Sequence, residues 1–108
     1  MSSRKKQLPP KINILGKDIR VLKEKIKKEE GEAKIFGEFN DSKMLIKINP
    51  KLTPHEEKIT LFHEAVHAAL HVSGLTHLLP SDGKLEEALV RVMEHAFAHA
   101  IDIHKLAK

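Results

Sequence analysis

Two histidines and a glutamate stand at the spacing of a hydrolytic metal site in the segment Leu61-Phe62-His63-Glu64-Ala65-Val66-His67. An α-helix repeats about every 3.6 residues, so His63 and His67 share one face and can bind one ion. Glu64 lies about 100° further round, close enough to hydrogen-bond a water on that ion. Zinc lowers the pKa of such a water toward about 7, and a neighbouring carboxylate can take the proton. The spacing therefore predicts a zinc site with Glu64 as general base.

The residues around this motif predict a largely buried helix. Polar side chains inside such a helix are costly to desolvate unless each has a partner. A metal ion accounts for two histidines and a glutamate together, and a pair of hydrogen-bonded core histidines is the alternative. The apolar flanks are Ile59, Leu61, Phe62, Val66, Leu70 and Val72, and the small residues between them are Ala65, Ala68 and Ala69.

A catalytic zinc usually has about three protein ligands and one open position, so a third ligand is expected. Glu86 opens a predicted second helix and continues its apolar stripe, which predicts that it faces the motif; the stripe consists of Leu89, Val90 and Met93. Glu87 is rotated about 100° toward Arg91 and can form an ordinary i,i+4 surface pair. Either carboxylate can instead sit in the first turn because the helix dipole favours it there. We expect Glu86 as the third ligand, with Glu87 as the alternative.

Four further histidines are candidate ligands. His71 lies one turn beyond His67, but the outer two of three such positions start about 12 Å apart on a straight helix. It is therefore expected to pack beside the site or to support a ligand. His77 falls in a loop, and the pair His95 and His99 repeats the i,i+4 spacing on the second helix. We expect these three to lie away from the metal.

The remaining chain predicts the elements that position the motif. Alternating apolar residues predict one hairpin over residues 11–21 and another over residues 35–48, with a turn at 40–42. Residues 22–34 are charged and prone to form a helix. Thr53-Pro54-His55-Glu56 has the pattern of a capping box, so the motif helix should begin there. It should end near Ser73, because Gly74 follows. A second helix is expected over about Lys84 to Leu106. These elements predict an α+β fold with a small N-terminal antiparallel sheet packed on two long helices.

Length and composition indicate a single small domain. The chain has 108 residues, no cysteine and a net charge of +4. We expect a disordered basic leader over residues 1–10 and one domain over residues 11–108. The absence of a long apolar run or signal core predicts a cytoplasmic protein without a membrane partner. Lysines alternate with glutamates and no aromatic residues lie among them, which argues against a nucleic-acid partner.

The chain resembles small zinc metallopeptidases of the gluzincin type, namely the minimal ImmA/IrrE-like peptidases of phages and bacteria. The similarity covers about residues 35–100, including the strand Met44 to Ile48, the motif from Thr60 to His67, and Glu86-Glu87-Ala88-Leu89-Val90. It implies a minimal zincin-like domain in which His63, His67 and Glu86 hold zinc (Zn2+). It also implies that Glu64 is the general base.

Three functions follow as hypotheses. The first is a zinc-dependent hydrolase of peptide bonds, with a peptide or protein substrate that pairs as an extended chain with the strand 44–48. The second is a non-proteolytic zinc-binding regulatory or structural module, such as a phage accessory protein, for which Glu64 has no purpose. The third is a basic nucleic-acid-binding protein with incidental histidines.

Overall fold

The structure is a computed structural model that describes residues 8–26, 35–98, 100 and 103. These residues form an α+β fold, as the sequence predicted. No helix among them is long and apolar enough to cross a membrane. The elements are β1 (Lys11–Ile14), β2 (Lys17–Lys23), β3 (Gly37–Asn40), β4 (Leu45–Ile48), α1 (Pro54–Val72), a 3-10 helix (Leu75–Leu78) and α2 (Lys84–Phe97).

The four strands form one sheet in the order β1-β2-β4-β3. Both predicted hairpins are present, because β1 pairs with β2 and β3 pairs with β4 in antiparallel fashion. The predicted antiparallel sheet needs one correction, since β2 and β4 pair in parallel, with Val21 opposite Ile46. β4 is the more buried strand of its hairpin and lies in the central part of the sheet, between β2 and β3. β3 is left as an edge strand.

The hydrophobic core lies between the sheet and α1. Alternation along β1 and β2 sends their isoleucines to one face of the sheet, where Ile12 and Ile19 are fully buried. Leu61 and Ala68 pack onto this layer from α1, and both are also fully buried. Because these apolar residues fix one side of α1 against the sheet, the rotation of the helix is set.

The ends of α1 are where the sequence predicts them. Thr53 Oγ1 accepts a hydrogen bond from the Glu56 backbone N–H at 3.1 Å, and the Thr53 N–H donates to Glu56 Oε1 at 2.9 Å. This completes the predicted capping box, with Pro54 as the first helical residue. The helix ends at Val72, and Gly74 follows with a φ of 85° that favours glycine.

The helix α2 differs from its prediction in length and in facing. It ends at Phe97 rather than near Leu106, although residues 99, 101–102 and 104–108 lie outside the described part of the chain. Val90 is its only buried residue, whereas Leu89 and Met93 of the predicted stripe are 40% and 39% exposed. Of the predicted apolar stripe, Val90 is therefore the part that is buried.

Two other predictions fall partly outside the described residues. The leader was placed over residues 1–10, of which 1–7 are not described. The charged segment 22–34 was predicted to favour a helix, but its first two residues belong to β2 and residues 24–26 are not helical. Residues 27–34 are likewise outside the description.

Candidate metal centre and active site

The two motif histidines face one carboxylate from α2. Glu87 Oε2 lies 3.1 Å from His63 Nε2, and Glu87 Oε1 lies 2.9 Å from His67 Nε2. The two imidazole rings are 5.2 Å apart between centroids. One ligand atom from each of the three side chains falls within 4.8 Å of the others, as a shared ion requires. Among the described residues, His63, His67 and Glu87 are the group of this kind.

The other nitrogen of each imidazole contacts a different carboxylate of α2. His67 Nδ1 lies 2.6 Å from Glu86 Oε2, and His63 Nδ1 lies 2.7 Å from Glu94 Oε1. Glu86, which the sequence favoured as the third ligand, thus reaches His67 on the side away from Glu87. The geometry favours Glu87, the alternative, for the third position.

The facing of α2 explains how these carboxylates meet the histidines. Residues three, four, seven and eight positions apart share a helix face, so Glu86, Glu87, Val90 and Glu94 form one row. Around the helix axis, this row is rotated from the apolar stripe by less than the angle of about 100° that separates two successive residues. The sequence analysis did not identify Glu94. Its spacing of eight and seven residues from Glu86 and Glu87 could have indicated that it lies on the same helix face.

Glu64 is a buried carboxylate at the inner wall of the site, with 7% of its surface exposed. Burial raises the pKa of Glu64 above its ordinary value of 4.5, and the nearby carboxylates of Glu87 and Glu38 raise it further. The charges of His63 and His67 oppose that rise. A carboxyl with a raised pKa inside a cleft is suited to accept a proton and release it again.

The site opens into two neighbouring clefts, one along β3 and one beside the residues that precede β3. The first has a volume of about 700 Å³ and runs from Gly37 toward Ser42. The second, of about 650 Å³, runs in the other direction past Phe36 and Arg91. The clefts share Gly37, His63, Glu64 and Glu87 in their walls, so a groove along β3 passes the candidate metal group.

The other histidines that the structure describes lie outside the metal group. The His71 ring packs edge-on against Phe39 at 5.9 Å, and its Nδ1 lies 3.6 Å from an Asp41 carboxylate oxygen. The His77 ring is 6.3 Å from that of His71. His95 lines the second cleft. His99 is not among the described residues, so its predicted position stays a prediction.

A known protein family matches most of the chain. A sequence-family model of peptidases, described as the IrrE N-terminal-like domain, matches residues 16–106. The chain belongs to this family. The resemblance to ImmA/IrrE-like peptidases is thereby confirmed, and membership of the IrrE N-terminal-like peptidases supports a metallopeptidase. Comparisons with curated proteins and with solved structures returned no significant match.

A close approach between β3 and α1 gives a test of how this IrrE-like domain positions Glu64. A Cβ atom at Gly37 would lie 2.6 Å from Thr60 Cγ2, 3.1 Å from the Lys47 carbonyl oxygen and 3.4 Å from Glu64 Cγ. We expect Gly37→Ala to lower the free energy of unfolding by about 1–3 kcal/mol, because such overpacking forces the strand off the helix. Urea denaturation measures this loss.

The matched control for this substitution is the double variant Gly37→Ala/Thr60→Ser. Serine lacks the Cγ2 methyl that the new Cβ would meet, so part of the lost stability should return. Equal stability of Gly37→Ala and the unaltered chain would show that this contact does not limit the spacing of β3 and α1.

The buried state of Glu64 predicts how pH affects the metal-free chain. Because the pKa of Glu64 is raised in the folded chain, the folded state binds the Glu64 proton more tightly than the unfolded state does. The free energy of unfolding therefore falls as pH rises above 4.5, the ordinary pKa, through the higher folded pKa. Burial also raises the pKa of Glu87, but the charges of His63 and His67 with the His67 hydrogen bond outweigh it and lower the pKa. Glu87 therefore adds stability that is lost as pH falls below 4.5.

The substitution Glu64→Gln separates these two contributions. We expect metal-free Glu64→Gln to be more stable than the unaltered chain at neutral pH, and this gain should shrink as pH falls toward 4.5. Urea denaturation at a series of pH values with a chelator present measures the difference. A gain that stays the same at every pH would contradict a raised pKa for Glu64.

Proposed function

We propose that the chain is a gluzincin-type, zinc-dependent hydrolase of peptide bonds. Its metal ligands are His63, His67 and Glu87, with Glu87 in the role that the sequence gave to Glu86. The observation that carries the proposal is the Glu87 carboxylate, whose two oxygens lie within 3.1 Å of the two Nε2 atoms. Two imidazole nitrogens and one carboxylate oxygen are a donor set that zinc accepts, and they leave room for a further ligand.

In this proposal Glu64 performs the proton transfers. Zinc bound in the site would polarise the scissile carbonyl and lower the pKa of water beside it. Glu64 takes a proton from the attacking water as the oxygen bonds to the carbonyl carbon. It then gives that proton to the amide nitrogen as the carbon–nitrogen bond breaks, so that a carboxyl and an amine are released. Burial of Glu64 supports this role, because its raised pKa suits both steps.

The substrate is proposed to bind along β3 rather than along the strand 44–48. The sequence hypothesis fails because β4 lies between β2 and β3 and pairs with both. β3 is at the edge of the described sheet, and the groove beside it passes Glu64 and the metal group. An extended peptide can add to such an edge by main-chain hydrogen bonds, which places its backbone next to Glu64.

A cleavage experiment tests the proposed function. The zinc-loaded chain is incubated with a mixture of unfolded proteins and peptides, and new termini are identified by mass spectrometry. We expect cleavages that disappear with a chelator and return with added zinc. If the chain binds zinc through His63 and His67 but generates no new termini, the hydrolase proposal fails. The non-proteolytic zinc-binding module is then the better account.

A further inference from the structure

In both histidines of the proposed metal site, the ring nitrogen that faces away from Glu87 contacts another carboxylate. Glu94 contacts Nδ1 of His63, and Glu86 contacts Nδ1 of His67, at 2.7 and 2.6 Å. The lower-numbered histidine meets the higher-numbered glutamate, so α1 and α2 run antiparallel here. The result is a ladder in which each histidine has its own carboxylate partner and Glu87 lies between the two Nε2 atoms.

The chemistry of imidazole gives this ladder a consequence. A neutral imidazole has one N–H donor and one nitrogen with a free lone pair, and only the lone pair can bind a metal. A carboxylate at hydrogen-bond distance accepts from Nδ1–H and keeps the proton on that nitrogen. Nε2, which contacts the Glu87 carboxylate in the metal-free chain, is then the nitrogen left to bind zinc. In both histidines Nε2 is the nitrogen that faces Glu87.

We propose that Glu94 and Glu86 are positioning residues, each of which holds one histidine in the ring orientation and tautomer that binds the metal. This inference rests on the proposed zinc site and adds two residues to it. Outer partners of this kind orient the ligand and raise its basicity, and their loss typically costs about 10–100-fold in metal affinity.

The surroundings of the two carboxylates support this role. The side chains of Glu86 and Glu94 are 19% and 28% exposed, so water screens their hydrogen bonds only in part. Glu86 is itself held in place, because its Oε1 accepts a hydrogen bond from Thr76 Oγ1 at 3.2 Å. A carboxylate fixed on both oxygens restricts the His67 ring more than a freely rotating one would.

Zinc affinity of the full chain, measured by competition with a chelator, is the first test. Glu94→Leu and Glu86→Leu remove the acceptor, and we expect each to weaken zinc binding by about 10–100-fold. Glu94→Gln and Glu86→Gln should lose less, because the amide oxygen still accepts from Nδ1–H. Glu24→Gln is the charge-matched control, since its carboxylate pairs with Lys47 instead, and it should bind zinc as the unaltered chain does.

Imidazole NMR signals of the zinc-loaded chain provide a readout that general loosening of the fold would not reproduce. In the unaltered chain both Nδ1–H protons should exchange slowly with water, because each is held by a carboxylate. Glu94→Leu should lose the slow exchange of the His63 proton alone, and Glu86→Leu that of the His67 proton alone. Loss of both signals in each variant would contradict a residue-specific positioning role.

Failure of this inference is distinguishable from failure of the proposed function. If the unaltered chain binds zinc through His63 and His67, and both leucine variants bind it as tightly, only the positioning role is overturned. If the unaltered chain binds no zinc, the metal site and the positioning role are overturned together. Circular dichroism of each variant establishes that it is folded before either conclusion is drawn.

Discussion

Glu87→Ala is expected to weaken zinc binding by more than about 100-fold, and Glu86→Ala by less than that. Glu87 supplies the oxygen atoms that face both Nε2 nitrogens, so its loss removes one of the three proposed ligands. Glu86 touches only Nδ1 of His67, on the side away from the metal group. Titration of both variants against a zinc chelator gives the two affinities.

The control for Glu87→Ala is Arg91→Ala. Arg91 Nε lies 3.5 Å from Glu87 Oε2, so this variant removes the neighbouring ion pair and keeps the proposed ligand. The Arg91 side chain is 73% exposed, and such a pair contributes little to stability. We expect nearly unchanged zinc affinity. A larger loss from Glu86→Ala than from Glu87→Ala would restore the assignment favoured by the sequence and overturn the one drawn from the geometry.

Glu64→Gln is expected to retain zinc while lowering turnover by about 10²–10⁴-fold, the usual contribution of general acid–base catalysis. The amide has the size of the carboxyl group but cannot take the proton of the attacking water. Glu64 is outside the proposed ligand set, so the zinc content should be unchanged. Zinc content and the cleavage rate of an identified substrate are measured on the same preparation.

The matched control is Glu57→Gln, which makes the same change on α1 at a carboxylate that pairs with Lys23 at 2.7 Å. We expect it to cleave at the rate of the unaltered chain. Undiminished turnover of Glu64→Gln on the same substrate would remove Glu64 from the role of general base, whatever the metal content.

Features set by neighbours in sequence could be predicted well. The capping box at Thr53, the glycine after α1 and the two hairpins depend on residues a few positions apart, and all of them are present. The spacing of His63 and His67 on one helix face is local in the same sense. Local rules of this kind hold because the contacts that enforce them form within a single element.

Features set by contacts between elements were harder to predict. The parallel pairing of β2 with β4 joins the two hairpins. The residues within one hairpin do not determine which of its strands pairs with the other hairpin. The facing of α2 was inferred from its apolar stripe. In the structure, the imidazole nitrogens of α1 are met by Glu86, Glu87 and Glu94, so the packed face is the acidic one. This facing gives the polar atoms of the neighbouring helix partners and leaves Leu89 and Met93 partly exposed.

The central claim is that His63, His67 and Glu87 hold one metal ion. The most direct test is the zinc-to-protein ratio of the full chain, measured by elemental analysis after dialysis. The account predicts about one zinc per chain for the unaltered protein and almost none for His63→Ala/His67→Ala, since those imidazoles are two of the three proposed ligands. Equal zinc content in the two proteins, or none in the unaltered one, would contradict it.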